Sequence, residues 1–337
     1  MDIITPFFFY LGVFIVTWVA TGCFRRIALM KKIVDIPNER SAHTLPIPRA
    51  GGLAFASIFF TAMMMRSWIC RTSLSFSEIL LCTIAVGFTV LGAVDDVYTL
   101  TPRFRLAIQG VLSLLFIVFL PDITAGVHAI IPYGPTWLYS LFSVLFLMWM
   151  VNLYNFMDGI NGIASIEAVT VLLGFTLICL LTKNTGHLFI YFLLAIVCLG
   201  FLLWNFPRAS IFMGDAGSNF LGFLLGGIAL LSGTLNPLLF SCCLILLGVF
   251  ITDATLTLCH RLLKKDNLFQ AHATHAYQCA ARSLQSHVVV SLSVGGINLF
   301  WLAPIALSVA LTKLSPWEGI LMAYAPLVIL YRYLRLY

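Results

Sequence analysis

The sequence predicts an all-α integral membrane protein of about eleven transmembrane helices, and three observations lead there. Of 337 residues, 61% are hydrophobic and only 9% are charged, with a mean hydropathy of +1.02. Soluble domains carry about 25% charged residues, which excludes a water-soluble fold. The apolar residues fall into eleven runs separated by short polar breaks. At every second break stands a small cluster of carboxylates, glycines or histidines, so spanning runs would bring all the clusters to one face.

The runs lie near 7–24, 51–65, 78–94, 104–120, 137–153, 164–182, 188–204, 219–231, 238–258, 288–312 and 317–331. Several are shorter than the roughly 20 residues of a spanning helix, so their ends are expected to extend into the flanks. The first run has Asp2 as the only charge before it. Without a preceding Lys or Arg it is expected to stay as a membrane helix, not to be cleaved. Run 219–231 is the weakest, yet its Gly222, Gly226 and Gly227 suit close helix–helix contact. No hydrophilic stretch is long enough for a soluble domain, so residues 1–337 read as a single polytopic domain. The nine cysteines form no C-x-x-C pair and read as small buried hydrophobes.

Charge sets the orientation. Fifteen of the 19 basic residues, from Arg25 and Arg26 through Arg332 and Arg335, lie after odd-numbered runs. Arg66, Arg71, Lys183 and Lys313 are the exceptions. By the positive-inside rule the richer side is cytoplasmic, which puts the N-terminus outside and the C-terminus inside. The net charge of +6 is then a topology signal and calls for no nucleic acid.

Four clusters fall on the cytoplasmic side: Asp95-Asp96, Asn155 to Gly162, Met213 to Ser218, and His272-Ala-Thr-His275. Ionisable groups at membrane depth are costly and mark functional sites. One aspartate could simply mark a helix end, but Asp95, Asp96, Asp158 and Asp215 on one face would repel unless a cation joined them. Hard oxygen ligands suit Mg2+, with Mn2+ as the alternative. Glycines flank Asp158 and Asp215, and Asp215 opens a helix whose free N–H groups would attract phosphate. The pattern points to a metal–diphosphate site. His272 and His275 read either as surface residues or as hydrogen-bond donors to an anionic substrate. His43 and Arg49, in the first cytoplasmic loop, are weaker candidates for that duty. Phe206 and Phe212 either stack a base or pack, while Asp253 and Glu167 are expected to pair with a neighbouring helix or Arg.

Several segments together resemble a known family: Asn38 to His43 with Pro46-Ile-Pro-Arg49, Val94-Asp95-Asp96, Asn152 to Gly159, and Asn205 to Ser218. They look like the polyprenyl-phosphate N-acetylhexosamine-1-phosphate transferases. His272 to Gln278 looks most like the O-antigen-initiating branch. The resemblance implies a membrane transferase that moves an N-acetylamino-sugar 1-phosphate from a UDP-sugar to undecaprenyl phosphate and releases UMP. It would begin a lipid-linked O-antigen or other surface polysaccharide at a bacterial inner membrane, with its site facing the cytoplasm. Carried over, Asp215 would ligate Mg2+, and Asp95 and Asp96 would engage the lipid phosphate or act as base. Asn155, Asp158, Asn161 and Asn205 would serve the nucleotide-sugar site, Phe212 the uracil, and His272 and His275 the diphosphate. Asn161 stands where the family often has an aspartate, and Ala50 where it often has glycine. The sequence leaves room for a homodimer. The rival is a secondary transporter, which would place its acids near the bilayer midplane.

Overall fold

The computed structural model describes residues 4–37, 45–70, 73–266 and 273–335. Among the described residues are fifteen α-helices. The first half comprises α1 (Ile4–Met30), α2 (Gly51–Cys70), α3 (Phe76–Tyr98), α4 (Pro102–Phe119), α5 (Ala125–Ile130), α6 (Thr136–Met157) and α7 (Ile163–Leu181). There follow α8 (Leu188–Asn205), α9 (Gly214–Leu235), α10 (Pro237–Leu246), α11 (Gly248–Leu263), α12 (Ala276–Leu284), α13 (His287–Ile297), α14 (Ala303–Ala310) and α15 (Pro316–Leu334). Between α1 and α2 a short antiparallel pair, β1 (Val34–Asp35) and β2 (Ile47–Pro48), closes a loop. A π-helical turn, Asn298–Leu302, joins α13 to α14.

Each of the eleven apolar runs lies on a helix or helix pair. Among the described residues, eight helical stretches are long and apolar enough to cross a membrane: α1, α3, α4, α6, α7, α8, α9 and α13–α14. Counting α10–α11 makes a ninth, but that pair bends by 69°. The run 238–258 reads as one continuous apolar stretch. The bend falls at Leu247, whose backbone leaves helical geometry (ψ 7°), directly before Gly248. Phe8, Trp18, Val111, Leu114 and Val118 are exposed on α1 and α4. Large apolar surfaces of this kind mark contact with something other than water, here lipid.

The axis of the bundle is α9, the stretch that reads as weakest. Every residue from Ala216 to Gly233 is buried, and the helix packs on α2, α3, α5, α6 and α10. Small residues bring the backbones together: a Cβ on Gly222 would stand 2.7 Å from the Met150 carbonyl oxygen of α6. On the other side Phe223 stacks on Phe88 of α3 with centroids 4.7 Å apart. The C-terminal ends of α3 and α6 therefore meet the N-terminal end of α9. That meeting point holds the polar residues.

Candidate active site

Asp95 and Asp96 lie in the last turns of α3, where Thr99 adopts a left-handed cap (φ 47°) and turns the chain into α4. The turn brings Arg105 back onto Asp95, with Nη1 donating to Oδ2 at 2.7 Å. Asp95 Oδ1 accepts the Leu100 N–H at 2.7 Å. Asp95 is thus buried with both oxygens engaged.

Asp96 reaches across to α9. Its two oxygens accept the Asp215 N–H at 3.0 Å and the Ala216 N–H at 3.1 Å. A helix start leaves N–H groups without intrahelical partners, and the helix dipole favours a carboxylate there. Gly214 lets the chain approach: its φ is +74°, and a Cβ would stand 2.7 Å from Asp96 Oδ2. This corrects the expectation of N–H groups open to phosphate, because the chain's own carboxylate occupies them. An anion must be drawn here by side chains.

Asp215 and Asp158 are the open members. Asn155 Nδ2 donates to Asp215 Oδ1 at 2.7 Å and to Ser218 Oγ at 3.1 Å. Asp215 Oδ2 lies 3.8 Å from Arg105 Nη1, and the side chain is 33% exposed. Asp158 caps α6 and is half-buried. Among the described residues no hydrogen bond or ion pair engages its carboxylate. Burial first, then the charges of Asp215 and Asp96, hold the Asp158 carboxyl well above the usual range, with Arg49 offsetting part. Arg49 itself pairs with Asp35 at 2.7 Å across the β1–β2 loop. The four acids are neighbours at helix ends, not at midspan.

No three Asp, Glu, His or Cys side chains among the described residues converge to enclose a metal ion. Mg2+ is commonly held by one or two carboxylates, with waters and substrate phosphates completing the shell. Asp215, with the unpaired Asp158 beside it, fits that pattern. Asp95 and Asp96 do not, since their oxygens are already engaged.

The other candidates separate. Phe212 is half-exposed next to α9, and its backbone ties α2 down: its N–H donates to Pro48 O at 2.8 Å and its O accepts the Gly51 N–H at 3.0 Å. Asn205 does not face an open site. It is buried, accepting the Gly162 N–H at 2.8 Å and donating to Ile211 O at 2.9 Å, so it pins the Asp158 loop to the approach to α9. Asn161 donates to Pro207 O at 3.2 Å in the same junction. His275 is buried too, with Nδ1 3.2 Å from Asp253 Oδ1; the structure sets it inside the protein and not against the open carboxylates. His43 and His272 lie outside the described residues.

His275 belongs to a brace. Asp253 of α11 accepts the Ala276 N–H at 3.0 Å, the Tyr277 N–H at 2.8 Å and the Thr257 hydroxyl at 3.1 Å. This fixes the start of α12. Tyr277 Oη then donates to Phe156 O at 2.9 Å, at the end of α6. A Cβ on Gly159 would stand 2.1 Å from Tyr277 Oη and displace it, so the glycine beside Asp158 makes room for that hydroxyl. The expected helix pairing of Asp253 is present, but Tyr277 and Arg105 were not singled out from sequence. For Arg105 a signal exists: Thr101-Pro102 is a helix start, and a helix beginning that soon after Asp96 must double back.

Residues 78–233, which carry all four aspartates, match glycosyl transferase family 4. A Bacillus subtilis protein named "Probable undecaprenyl-phosphate N-acetylglucosaminyl 1-phosphate transferase" is 31% identical over 310 residues, covering 88% of this chain and 83% of that protein. The chain belongs to the polyprenyl-phosphate N-acetylhexosamine-1-phosphate transferases. This phosphoglycosyl transferase is also similar to the Escherichia coli K12 undecaprenyl-phosphate alpha-N-acetylglucosaminyl 1-phosphate transferase, 26% identical over 87% of this chain and 82% of that one. A Mycolicibacterium smegmatis decaprenyl-phosphate N-acetylglucosaminephosphotransferase is 30% identical over 63% of this chain and 56% of its own length.

Proposed function

We propose that this transferase moves an N-acetylamino-sugar 1-phosphate from a UDP-sugar to undecaprenyl phosphate, releasing UMP, at the cytoplasmic face of a bacterial inner membrane. The orientation rests on the basic-residue asymmetry across the eleven runs. The observation that carries the reading is the pair of open carboxylates, Asp158 and Asp215, at the meeting of three helix ends, with Arg105 3.8 Å from Asp215 and Arg49 within electrostatic range of Asp158. Asp215, with Asp158 beside it, would hold Mg2+ or Mn2+, which when bound neutralises donor phosphate oxygens.

An acceptor phosphate oxygen attacks the β-phosphorus of the UDP-sugar. The bond from that phosphorus to the bridging oxygen breaks, and UMP leaves with the electron pair. A phosphate monoester has a second pKa near 6, so the acceptor is already largely dianionic and needs no strong base. The aspartates therefore act by position. Asp95 aims Arg105, whose buried Nε has no partner among the described residues, an orphan donor an anionic ligand could satisfy. Asp96 fixes α9 so that Asp215 and Asn155 face the same space. Phe212, beside the start of α9, would stack on the uracil.

Because the relatives are named for N-acetylglucosaminyl 1-phosphate transfer, UDP-N-acetylglucosamine is the first donor to test; the product would be the opening unit of an O-antigen or other surface polysaccharide. The test is UMP release by purified protein in detergent with undecaprenyl phosphate and a panel of UDP-sugars, with and without a chelator. Release that needs both lipid and divalent ion supports the reading. A covalent phospho-enzyme trapped with UDP-sugar alone would replace the single step with a double displacement.

A further inference from the structure

Helices α11, α12, α13 and α15 surround a cavity of about 190 Å3 that none of Asp95, Asp96, Asp158 and Asp215 lines. Its walls are mostly apolar, among them Val249, Ala280, Val290, Val294 and Leu327. An apolar cavity of about 150 Å3 holds a benzene molecule, so this one takes a length of hydrocarbon. Leu284 and Leu330, also in the wall, are exposed on the outer surface, so the cavity borders the lipid-facing side. Asp253, Ala276 and Tyr277 line it as well, so it backs directly onto the brace that holds the Asp158 turn.

One end of the wall is basic. Tyr331 lines the cavity, and Arg335 Nη1 donates to its hydroxyl at 2.5 Å. Arg335 and Lys264 both lie within electrostatic range of the half-exposed His260, where the acidic neighbour is Asp266. Asp266 is itself 3.8 Å from Arg261, which leaves Arg335 and Lys264 as excess positive charge. A hydrocarbon slot between membrane helices that ends in such a cluster has the chemistry of an anionic-lipid site.

We propose that this cavity binds an anionic phospholipid, with one acyl chain inside and the phosphate on Arg335 and Lys264. The acceptor polyprenyl phosphate fits less well. Its phosphate must reach Asp158 and Asp215, whereas Lys264 stands eleven residues, about 16 Å of helix, beyond the brace residue Asp253. A chain in the cavity supports Tyr277, and through it the turn that carries Asp158. Bound lipid therefore raises the turnover rate.

The test uses full-length protein in nanodiscs of phosphatidylcholine, alone or doped with phosphatidylglycerol. Retained lipid is read by native mass spectrometry, and UMP release is read in parallel. One phosphatidylglycerol is expected to stay bound and to stimulate turnover. A basic residue near an anionic lipid contributes about fivefold in affinity, so Arg335→Ala and Lys264→Ala should each raise the half-saturating phosphatidylglycerol about that much. Val294→Trp should abolish retention by filling the slot; melting in pure phosphatidylcholine checks its fold, and the two charge variants decide if it fails. Retention unchanged in both charge variants overturns the proposal. So does displacement of the bound phospholipid by undecaprenyl phosphate, which would assign the slot to the acceptor. The retention measurement does not depend on the reaction, so its failure and a failure of the transferase reading are distinguishable.

Discussion

Two helices in this protein begin under an aspartate supplied from another helix, and the two junctions differ in what surrounds them. Asp96 accepts the first N–H groups of α9, and Asp253 accepts those of α12. Around Asp253 the remaining groups close on each other, through His275, Thr257 and Tyr277. Around Asp96 they do not: Asp158 has no partner among the described residues, and Asp215 is one-third exposed. The same device serves as a brace where every valence is filled and as the floor of a reactive site where some are left open. Residue type does not distinguish the two; exposure and unfilled hydrogen-bonding capacity do.

The largest effect that sharpens this contrast is expected at an open carboxylate. Asp215→Asn should lower UMP release by about a thousandfold, the scale seen when one preorganised transition-state contact is lost, while membrane insertion stays normal. Asp96→Ala should cost about 3 kcal/mol of stability, because two part-buried N–H groups lose a charged acceptor. Its loss of rate should follow its lowered melting temperature, and an unchanged melting temperature would break the proposed cap. At the closed junction Asp253→Asn should lower kcat about tenfold with little change in KM, since it loosens the Asp158 turn without touching substrate. A rise in KM alone would instead place Asp253 in the binding site.

How much of this was legible follows from the residues. The helices were, since composition and run spacing leave a membrane chain little else to form. Convergence of the aspartates was also legible, because alternate breaks share a face. What escaped were contacts between segments distant in sequence. Nothing in the chain announces that Asp96 would cap α9, which reads as an open phosphate cradle. The bend at Leu247 was hidden inside a continuous apolar run, where α11 turns to meet α12. Asn205 and His275 have site-like chemistry, yet their bonds are spent on loops and on the brace.

Two smaller effects extend the comparison. Asp158 holds its proton more tightly folded than unfolded, so its contribution to stability is full below the ordinary carboxylate range. That contribution is lost as pH rises through the higher folded value. A divalent ion relieves the repulsion, so Mg2+ should raise the melting temperature most in alkaline buffer, and Asp158→Asn should flatten the trend. A melting profile equally steep in that variant would assign the titration elsewhere. Ala50 sits at φ +95°, where glycine is favoured, at the entry to α2. Ala50→Gly should stabilise by about 1 kcal/mol with activity unchanged, read by thermal unfolding in detergent.

The most direct measurement is a titration of full-length protein with Mn2+, followed by electron paramagnetic resonance in the presence of UDP-N-acetylglucosamine. A bound-ion signal in the unaltered protein and in Asp253→Asn, absent from Asp215→Asn, is the predicted result. Undiminished Mn2+ binding in Asp215→Asn would contradict an open carboxylate site at the head of α9.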